Sequence, residues 1–218
     1  MNWDYEKAER EMLFSLAKDG DTFFDIGANE GLYSISFAKQ FPRSKVYAFE
    51  PIPQMRQELN RNLGEIKNVF IYAFGLSDHT GFVDFYFSES DPGATSLAPL
   101  EERFGPTITM KKLVTTLDEQ CSAPHPCPNI IKCDVEGAEL LVFKGGAHTL
   151  EKYQPIIQCE MLRKWAKRFN YHPNEIIAFL GQFGYQCFSL RDRKLERFET
   201  MTEETTETNF YFLPRRIA

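Results

Sequence analysis

Hydrophobic positions along the chain fall into two alternating rhythms. Short, nearly continuous apolar runs recur at "TFFDIG" (22–27), "SKVYAFEP" (44–51), "NVFIYAFGLSD" (68–78), residues 129–133, residues 155–159, "YQCFSLRD" (185–192) and "TNFYFLP" (208–214). Runs of this length, bounded by turn-forming residues, predict buried strands. Between them the apolar spacing turns helical. Ala8, Met12, Leu13 and Leu16 mark a helix within 4–17, and Met55 and Leu59 mark another within 52–62. The stretch "EGLYSISFAKQF" predicts a third, stopped by Pro42, and further helices are expected from about 137 and near "HPNEIIAFLGQFG" (172–184). Strand–helix alternation that closes on a pair of strands predicts an α/β fold with a doubly wound, mostly parallel sheet.

One segment breaks this alternation. Phe82, Asp84 and Tyr86 alternate with Val83, Phe85 and Phe87, the pattern of an added strand whose partner is expected at 107–115. The intervening "SDPGATSLAPLEERFG" (90–105) is rich in Pro, Gly and Ser and predicts an exposed loop. The organisation read from this is one domain over 1–218, with an N-terminal helical segment in 1–20 and an inserted hairpin and loop in 82–115. The polar, acidic "KLERFETMTEETTE" (194–207) is read as a connection between the last two strands.

Composition narrows the possible functions. With 218 residues, 43% hydrophobic and including 20 Phe and 9 Tyr, the chain can bury a sizeable core. Lys and Arg number 25 against 31 Asp and Glu, a net charge of −6 with no broad basic field, so a nucleic-acid partner is not expected. No stretch has the length and apolarity of a membrane span, and the charged start lacks a signal-peptide core. Five cysteines are an odd number, and two of them end apolar runs, where a Cys usually behaves as a small buried hydrophobe. Together these predict a reduced, cytoplasmic protein with no membrane partner. In "CSAPHPC" (121–127), His125 stands alone between two cysteines, short of a four-ligand zinc site. The remaining histidines, His79, His148 and His172, fall in turns and at helix starts and are not expected to catalyse.

Candidate chemistry begins at "DIGANEG" (25–31). A glycine-rich turn between strand and helix lets a ligand approach backbone N–H groups. Gly27, Asn29 and Gly31 do not match G-x-G-x-x-G, and Asp25 at the strand end would repel a pyrophosphate but welcome an ammonium group. Glu50 ends the second strand, where an acid in α/β nucleotide sites accepts both ribose hydroxyls. Such a pairing calls for an adenosine ligand whose other end is cationic, and S-adenosylmethionine fits. "GLSD" (75–78) offers Ser77 or Asp78 to an adenine edge, with an ordinary Ser or Asx turn as the plain alternative. Ala28, Pro51 and Leu76, beside these residues, complete the expected cofactor contacts.

With these pieces in place the sequence resembles the FkbM-type S-adenosylmethionine-dependent methyltransferases. The resemblance rests on "DTFFDIGANEGLYS", "VYAFEP", "AFGLSDHTG", "TSL", "TTLDE", "IIKCDVEGAELLVFKGG", "IIQCEM" and "NFYFLP", in the family's order from about residue 11 to residue 214. It implies a Rossmann-like class I methyltransferase fold, a seven-stranded sheet with an antiparallel last strand, and methyl transfer to a hydroxyl of a sugar or small metabolite. It also places Asp25, Gly27, Asn29 and Gly31 in the cofactor loop, Glu50 at the ribose, and Asp134 at the acidic position after the fourth strand.

Ligands of open α/β sheets bind beyond the carboxyl ends of the strands, so Asp134, Glu136 and Glu160 are expected on one rim. They could serve as a general base, or hold a divalent cation that acidifies the acceptor hydroxyl. For Asp134 or Glu136 a helix-cap role is the alternative. Lys132 points to the same strand face as Asp134 and could neutralise part of the cluster, or stay solvated. For the acceptor, a sugar, polyol or other small molecule, the expected recognition elements are loop 88–105 with Ser96, and "MLRKWAKRFNYH" (161–172), which mixes aromatics with cations. That helix could equally pack its aromatics on the sheet. A non-catalytic binding module is the competing reading. A nicotinamide-dependent oxidoreductase would need the G-x-G-x-x-G turn that is absent here.

Overall fold

The computed structural model describes residues 1–88, 96–99, 105–122, 126–215 and 217. Eight strands form the main sheet: β1 (Thr22–Ile26), β2 (Lys45–Phe49), β3 (Val69–Tyr72), β7 (Ile130–Cys133), β8 (Ile156–Glu160), β9 (Tyr185–Arg191), β10 (Lys194–Arg197) and β11 (Asn209–Pro214). Their spatial order is β10-β9-β11-β8-β7-β1-β2-β3. Strands β3, β2, β1, β7 and β8 run parallel, and β11 is antiparallel to both β8 and β9. Seven of these strands are the runs read from the sequence, with the last one antiparallel as expected.

The alternation of side chains along the strands makes the fold two-faced. Phe24, Ile26, Phe49, Ile131, Cys133, Ile157, Cys159, Phe210 and Phe212 share one core with α5 (Glu139–Lys144), α6 (Ala147–Tyr153) and α8 (Asn174–Gly181). Their strand neighbours Phe23, Val46, Ile130, Ile156, Tyr211 and Leu213 pack on the opposite side against α1 (Lys7–Ser15) and α2 (Leu32–Gln40). Helix α3 (Pro53–Leu63) starts with proline at its first position, where no N–H is needed, and presses Leu59 onto Ile35 and Ala48.

The structure corrects three local readings. The stretch 194–207 is not all connection: Lys194–Arg197 folds back onto β9 as an eighth strand, through a tight turn at Asp192 and Arg193, both at positive φ (46° and 60°). A turn of this kind is usually flagged by Asn-Gly, and "DR" hides it. The third apolar run is two strands, because Gly75–Leu76 (β4) leaves the main sheet for a small three-stranded one. There β5 (Gly81–Ser88) and β6 (Thr107–Thr115) pair antiparallel in the register Phe82–Leu113 to Phe87–Ile108, the inserted hairpin read from the sequence. The helix expected from 137 is broken at Gly145 and Gly146. A Cβ at those positions would lie 2.1 Å from the Ser77 carbonyl oxygen and 2.5 Å from Leu117 Cδ2, the latter in α4 (Leu117–Gln120).

All five cysteines are free thiols. Among the described residues no helix is long and apolar enough to cross a membrane.

Candidate active site

Four strand ends of the main sheet converge on one rim. There β1 delivers the Gly27–Gly31 loop, β2 delivers Glu50, β7 delivers Asp134 and Glu136, and β8 delivers Glu160. Two adjoining clefts, of about 660 and 910 Å³ and both open to solvent, meet at this rim and share Asn29, Asp134 and Glu136.

The first cleft holds much of the expected cofactor set. Gly27, Asn29, Glu50, Pro51, Leu76 and Asp134 line it, with Met55, Phe85 and Leu97 as apolar walls. Gly27 sits at φ 80°, and its N–H donates to the Phe49 carbonyl at 3.0 Å. A Cβ there would lie 1.9 Å from the Asp134 carbonyl oxygen, so only glycine lets the loop cross the end of β7. Glu50, 6% exposed, is held by the N–H of Asn29 on Oε2 (2.9 Å) and of Ile52 on Oε1 (2.8 Å). Burial pushes its carboxyl up to about 7, against the pull of those two N–H groups and of Arg56 and Lys132.

Three expected cofactor residues stand outside the first cleft, and a fourth faces the second. Asp25 is fully buried: Oδ2 accepts from Ser34 N–H (3.0 Å) and Oγ–H (2.6 Å), while Oδ1 has no hydrogen-bond partner. It underpins the loop from within and lines neither cleft, so it is not open to a ligand's ammonium group. Gly31, at φ 90°, caps the start of α2, and a Cβ would meet Leu59 Cδ1 at 2.0 Å. Ser77 is buried, with its N–H on the Thr115 carbonyl and its Oγ 3.3 Å from Asp78, which also pairs with His79. Ala28 lines the second cleft.

Lys132 is the hinge of the acidic rim. It is 6% exposed, not solvated. Its Nζ donates to the Gly27 carbonyl at 3.2 Å and lies 3.1 Å from Asp134 Oδ2, 3.9 Å from Asp25 Oδ1 and 5.3 Å from the Tyr33 ring centre. One carboxylate oxygen from each of Asp134, Glu136 and Glu160 lies within 4.8 Å of the others, a spacing able to share a divalent cation. Burial, then the charge of Asp134, pushes the carboxyls of Glu136 and Glu160 well above the usual range.

Glu136 is not a helix cap. It takes a left-handed φ of 55°, and its Oε2 is buried without a partner. The residue that ties off the turn is Glu139, two residues past Gly137. Its Oε1 accepts from the N–H groups of Val135 (2.9 Å) and Gly137 (3.0 Å), and Tyr171 donates to its Oε2 at 3.2 Å. Sequence reading missed Glu139, although a third acid in "DVEGAE" was the available signal.

The segment 161–172 lines neither cleft. It forms α7 (Arg163–Ala166) and a 3-10 turn (Lys167–Phe169). Trp165 is buried, with Arg168 stacked 4.1 Å above its ring, and its carbonyl presses on Gly137. The aromatics pack inward and brace the turn carrying Glu136. Of loop 88–105, Ser96 donates to the Glu136 carbonyl at 3.3 Å and Leu97 walls the first cleft. Most of that loop, like His125, lies outside the described residues. Missed altogether were Asn2, Tyr5, Glu6, Glu30 and Tyr33, which line the second cleft. The N-terminal helix read only as core packing.

A doubly wound sheet of this strand order, with an acid after β2 and a second after β7, defines a Rossmann-like methyltransferase fold. The sequence profile of the "Methyltransferase FkbM domain" matches residues 25–187, and the chain belongs to that family. It is 29% identical over 161 residues to the 2-O-methyltransferase NoeI of Sinorhizobium fredii, covering 67% of this chain and 65% of that protein. It is 30% identical over 148 residues to the hexuronic acid methyltransferase AglP of Haloferax volcanii, covering 67% and 58%. The chain thus spans about three fifths of the length of these relatives. Among solved structures, the FkbM methyltransferase of Methylobacillus flagellatus superposes with a TM-score of 0.56 at 17% identity, over 91% of this chain and 45% of that one. A Streptococcus mutans protein solved with SAH gives 0.54 at 11% identity, over 95% and 96%. Both share the fold.

Proposed function

We propose that the protein is an S-adenosylmethionine-dependent methyltransferase acting on a hydroxyl oxygen of a small acceptor, a sugar, polyol or other metabolite. The observation that carries this reading is the first cleft, which runs from Glu50 at one end to Asp134 and Glu136 at the other. The donor set suits the cofactor. Glu50 is fixed by two backbone N–H groups with acceptor capacity left for two ribose hydroxyls, and Pro51, Leu76 and Phe85 offer apolar walls to an adenine.

When bound, S-adenosylmethionine supplies an electrophilic methyl group carried on a sulfonium. The chain's own task is to place a hydroxyl and manage its proton. Glu136 and Glu160 keep their protons near neutral pH, because burial and the charge of Asp134 disfavour their ionised forms. They can then donate hydrogen bonds to an acceptor's oxygens. Asp134, ion-paired with Lys132, is the carboxylate of the trio left to accept the hydroxyl proton. Lys132 positions Asp134 and ties it to the Gly27 carbonyl of the cofactor loop.

Calorimetric titration with S-adenosylhomocysteine tests the reading. Saturable binding by the wild-type chain is expected, and its absence would refute the cofactor assignment. Asp134→Asn should leave that binding within about threefold while removing transfer to any acceptor the wild type methylates. Full activity of Asp134→Asn would refute the base assignment.

A further inference from the structure

The "CSAPHPC" stretch (121–127) takes no part in the chemistry of the rim, and the structure brings its two cysteines together. Cys121 closes α4, its N–H donating to the Leu117 carbonyl at 3.0 Å, and its side chain is buried in the core shared with α5, α6 and α8. Cys127, half-buried against the same core, stands three residues before β7. Its Sγ donates to the Cys121 carbonyl at 3.2 Å, and the two thiols are hydrogen-bonded to each other.

Both sulfurs are carried by anchored backbone. Asp118 in α4 accepts the N–H groups of His148 (3.1 Å) and Thr149 (2.7 Å) at the start of α6, and Glu119 accepts the hydroxyls of Thr80 and Thr115 from the inserted hairpin. On the other side, Asn129 donates its N–H to the Thr22 carbonyl (2.9 Å) and accepts the Thr22 N–H on Oδ1 (2.8 Å). The two thiols differ in access. Burial first, and the neighbouring Cys127 as well, push the Cys121 thiol up to about 12, whereas Cys127 is open to solvent. Exchange with a disulfide needs a thiolate that the reagent can reach. Cys133, Cys159 and Cys187 offer neither: they are 0%, 0% and 2% exposed, and burial pushes their thiols up as well.

We propose that Cys121 and Cys127 form a reversible dithiol–disulfide site, oxidised by exchange with a small-molecule disulfide such as glutathione disulfide. Cys127 attacks as the thiolate, the oxidant's S–S bond breaks, and one glutathione thiolate leaves while Cys127 keeps the other glutathione as a mixed disulfide. Cys121, deprotonated in turn, attacks the Cys127 sulfur and expels the second glutathione. One S–S bond has formed in the protein and one has broken in the oxidant, which takes up two electrons, and the two cysteine protons end on the two glutathione thiolates. The product closes a seven-residue loop that staples α4, and with it α6 and the hairpin, to the entry of β7. This is the end of β7 opposite the rim acids, and the inference is independent of the methyl-transfer reading.

Peptide mapping tests it. The full chain, reduced and desalted, is incubated with glutathione disulfide at about pH 8 and analysed by mass spectrometry without reduction. A Cys121–Cys127 link that dithiothreitol reverses is expected, with Cys133, Cys159 and Cys187 left as thiols. Cys121→Ala should stop at a glutathione adduct on Cys127, and Cys127→Ser should take up no glutathione. A closed loop of this length should raise the Tm of the oxidised wild type by about 5–10 °C over the reduced one. A wild type that stays reduced, that ends as a stable glutathione adduct, or that links any other cysteine would overturn the inference. Glutathione taken up on Cys121 in Cys127→Ser would overturn the order of attack. An oxidised chain that melts below the reduced one would show that the folded protein does not hold these sulfurs ready for the bond.

Discussion

Replacing Lys132 with methionine probes what holds the acidic rim together. The Lys132 side chain is 8% exposed, and its ammonium faces Asp25, whose side chain is 1% exposed, at 3.9 Å and Asp134 at 3.1 Å. Asp25 is the more vulnerable partner. Ser34 satisfies only Oδ2, Oδ1 has no hydrogen bond, and burial already raises its carboxyl, opposed first by the charge of Lys132. Removing one member of a buried pair leaves an uncompensated charge and costs about 3–5 kcal/mol. At about 2–4 °C per kcal/mol for a domain of this size, Lys132→Met should lower Tm by about 6–20 °C. Asp25→Asn added to that background removes the stranded charge while keeping an oxygen for the Ser34 donors. The double variant should regain about 2 kcal/mol over the single one. Thermal unfolding followed by circular dichroism reads both numbers. A single variant that melts within about 2 °C of wild type, or a double variant no more stable than the single, would refute this account of the rim.

Other consequences can be checked alongside. Glu50 titrates near 7 in the ligand-free protein, raised from 4.5 by burial, and ribose hydroxyls favour its ionised form. S-adenosylhomocysteine affinity should therefore rise with pH from 5 to 7, by up to about tenfold per unit, and level off above; Glu50→Gln should bind about 10–100-fold more weakly and lose the pH dependence. Because its folded value is raised, Glu50's contribution to the stability of the ligand-free chain is greatest below 4.5 and is lost as pH climbs towards 7. Gly27→Ala adds a methyl 1.9 Å from a backbone oxygen to left-handed strain, about 2–5 kcal/mol in all, whereas Gly20→Ala, at φ 108° with open space around it, should cost only the strain of about 1–2 kcal/mol. Chemical denaturation separates the two, and similar losses would show that loop crossing is not what requires glycine at 27.

Where sequence and structure agree, the cause is local. The strand runs are legible because both faces of the central strands are buried, so Phe23 and Phe24 or Ile130 and Ile131 stand together in the sequence yet face opposite cores. The rim acids are legible because each ends an apolar run, and a strand's end fixes where its next residue emerges. What escaped reading depends on long-range packing. Nothing near Asp25 in the chain announces Lys132, which turns a ligand-facing acid into a buried one. Trp165 and Tyr171 show aromatic and basic neighbours consistent with a sugar site, and only the placement of Gly137 reveals that they brace the turn from behind. The second cleft was invisible for the same reason, since residues 2–6 and residues 132–160, which line it together, lie far apart in the sequence.

That separation has a consequence for how the protein is made. Glu6 and Asn209, 203 positions apart, share one hydrogen bond beside the second cleft, and Tyr211 holds the Glu9 carbonyl 202 positions away. During synthesis the parallel core from β1 to β8 can assemble with the N-terminal segment held by α1 packing and the Glu6–Tyr33 bond, before its ties to Asn209 and Tyr211 exist. Those two ties arrive only with β11. Until then Glu6 has its Tyr33 donor but not its Asn209 one, so the full set of bonds at this carboxylate reports that β11 is in place.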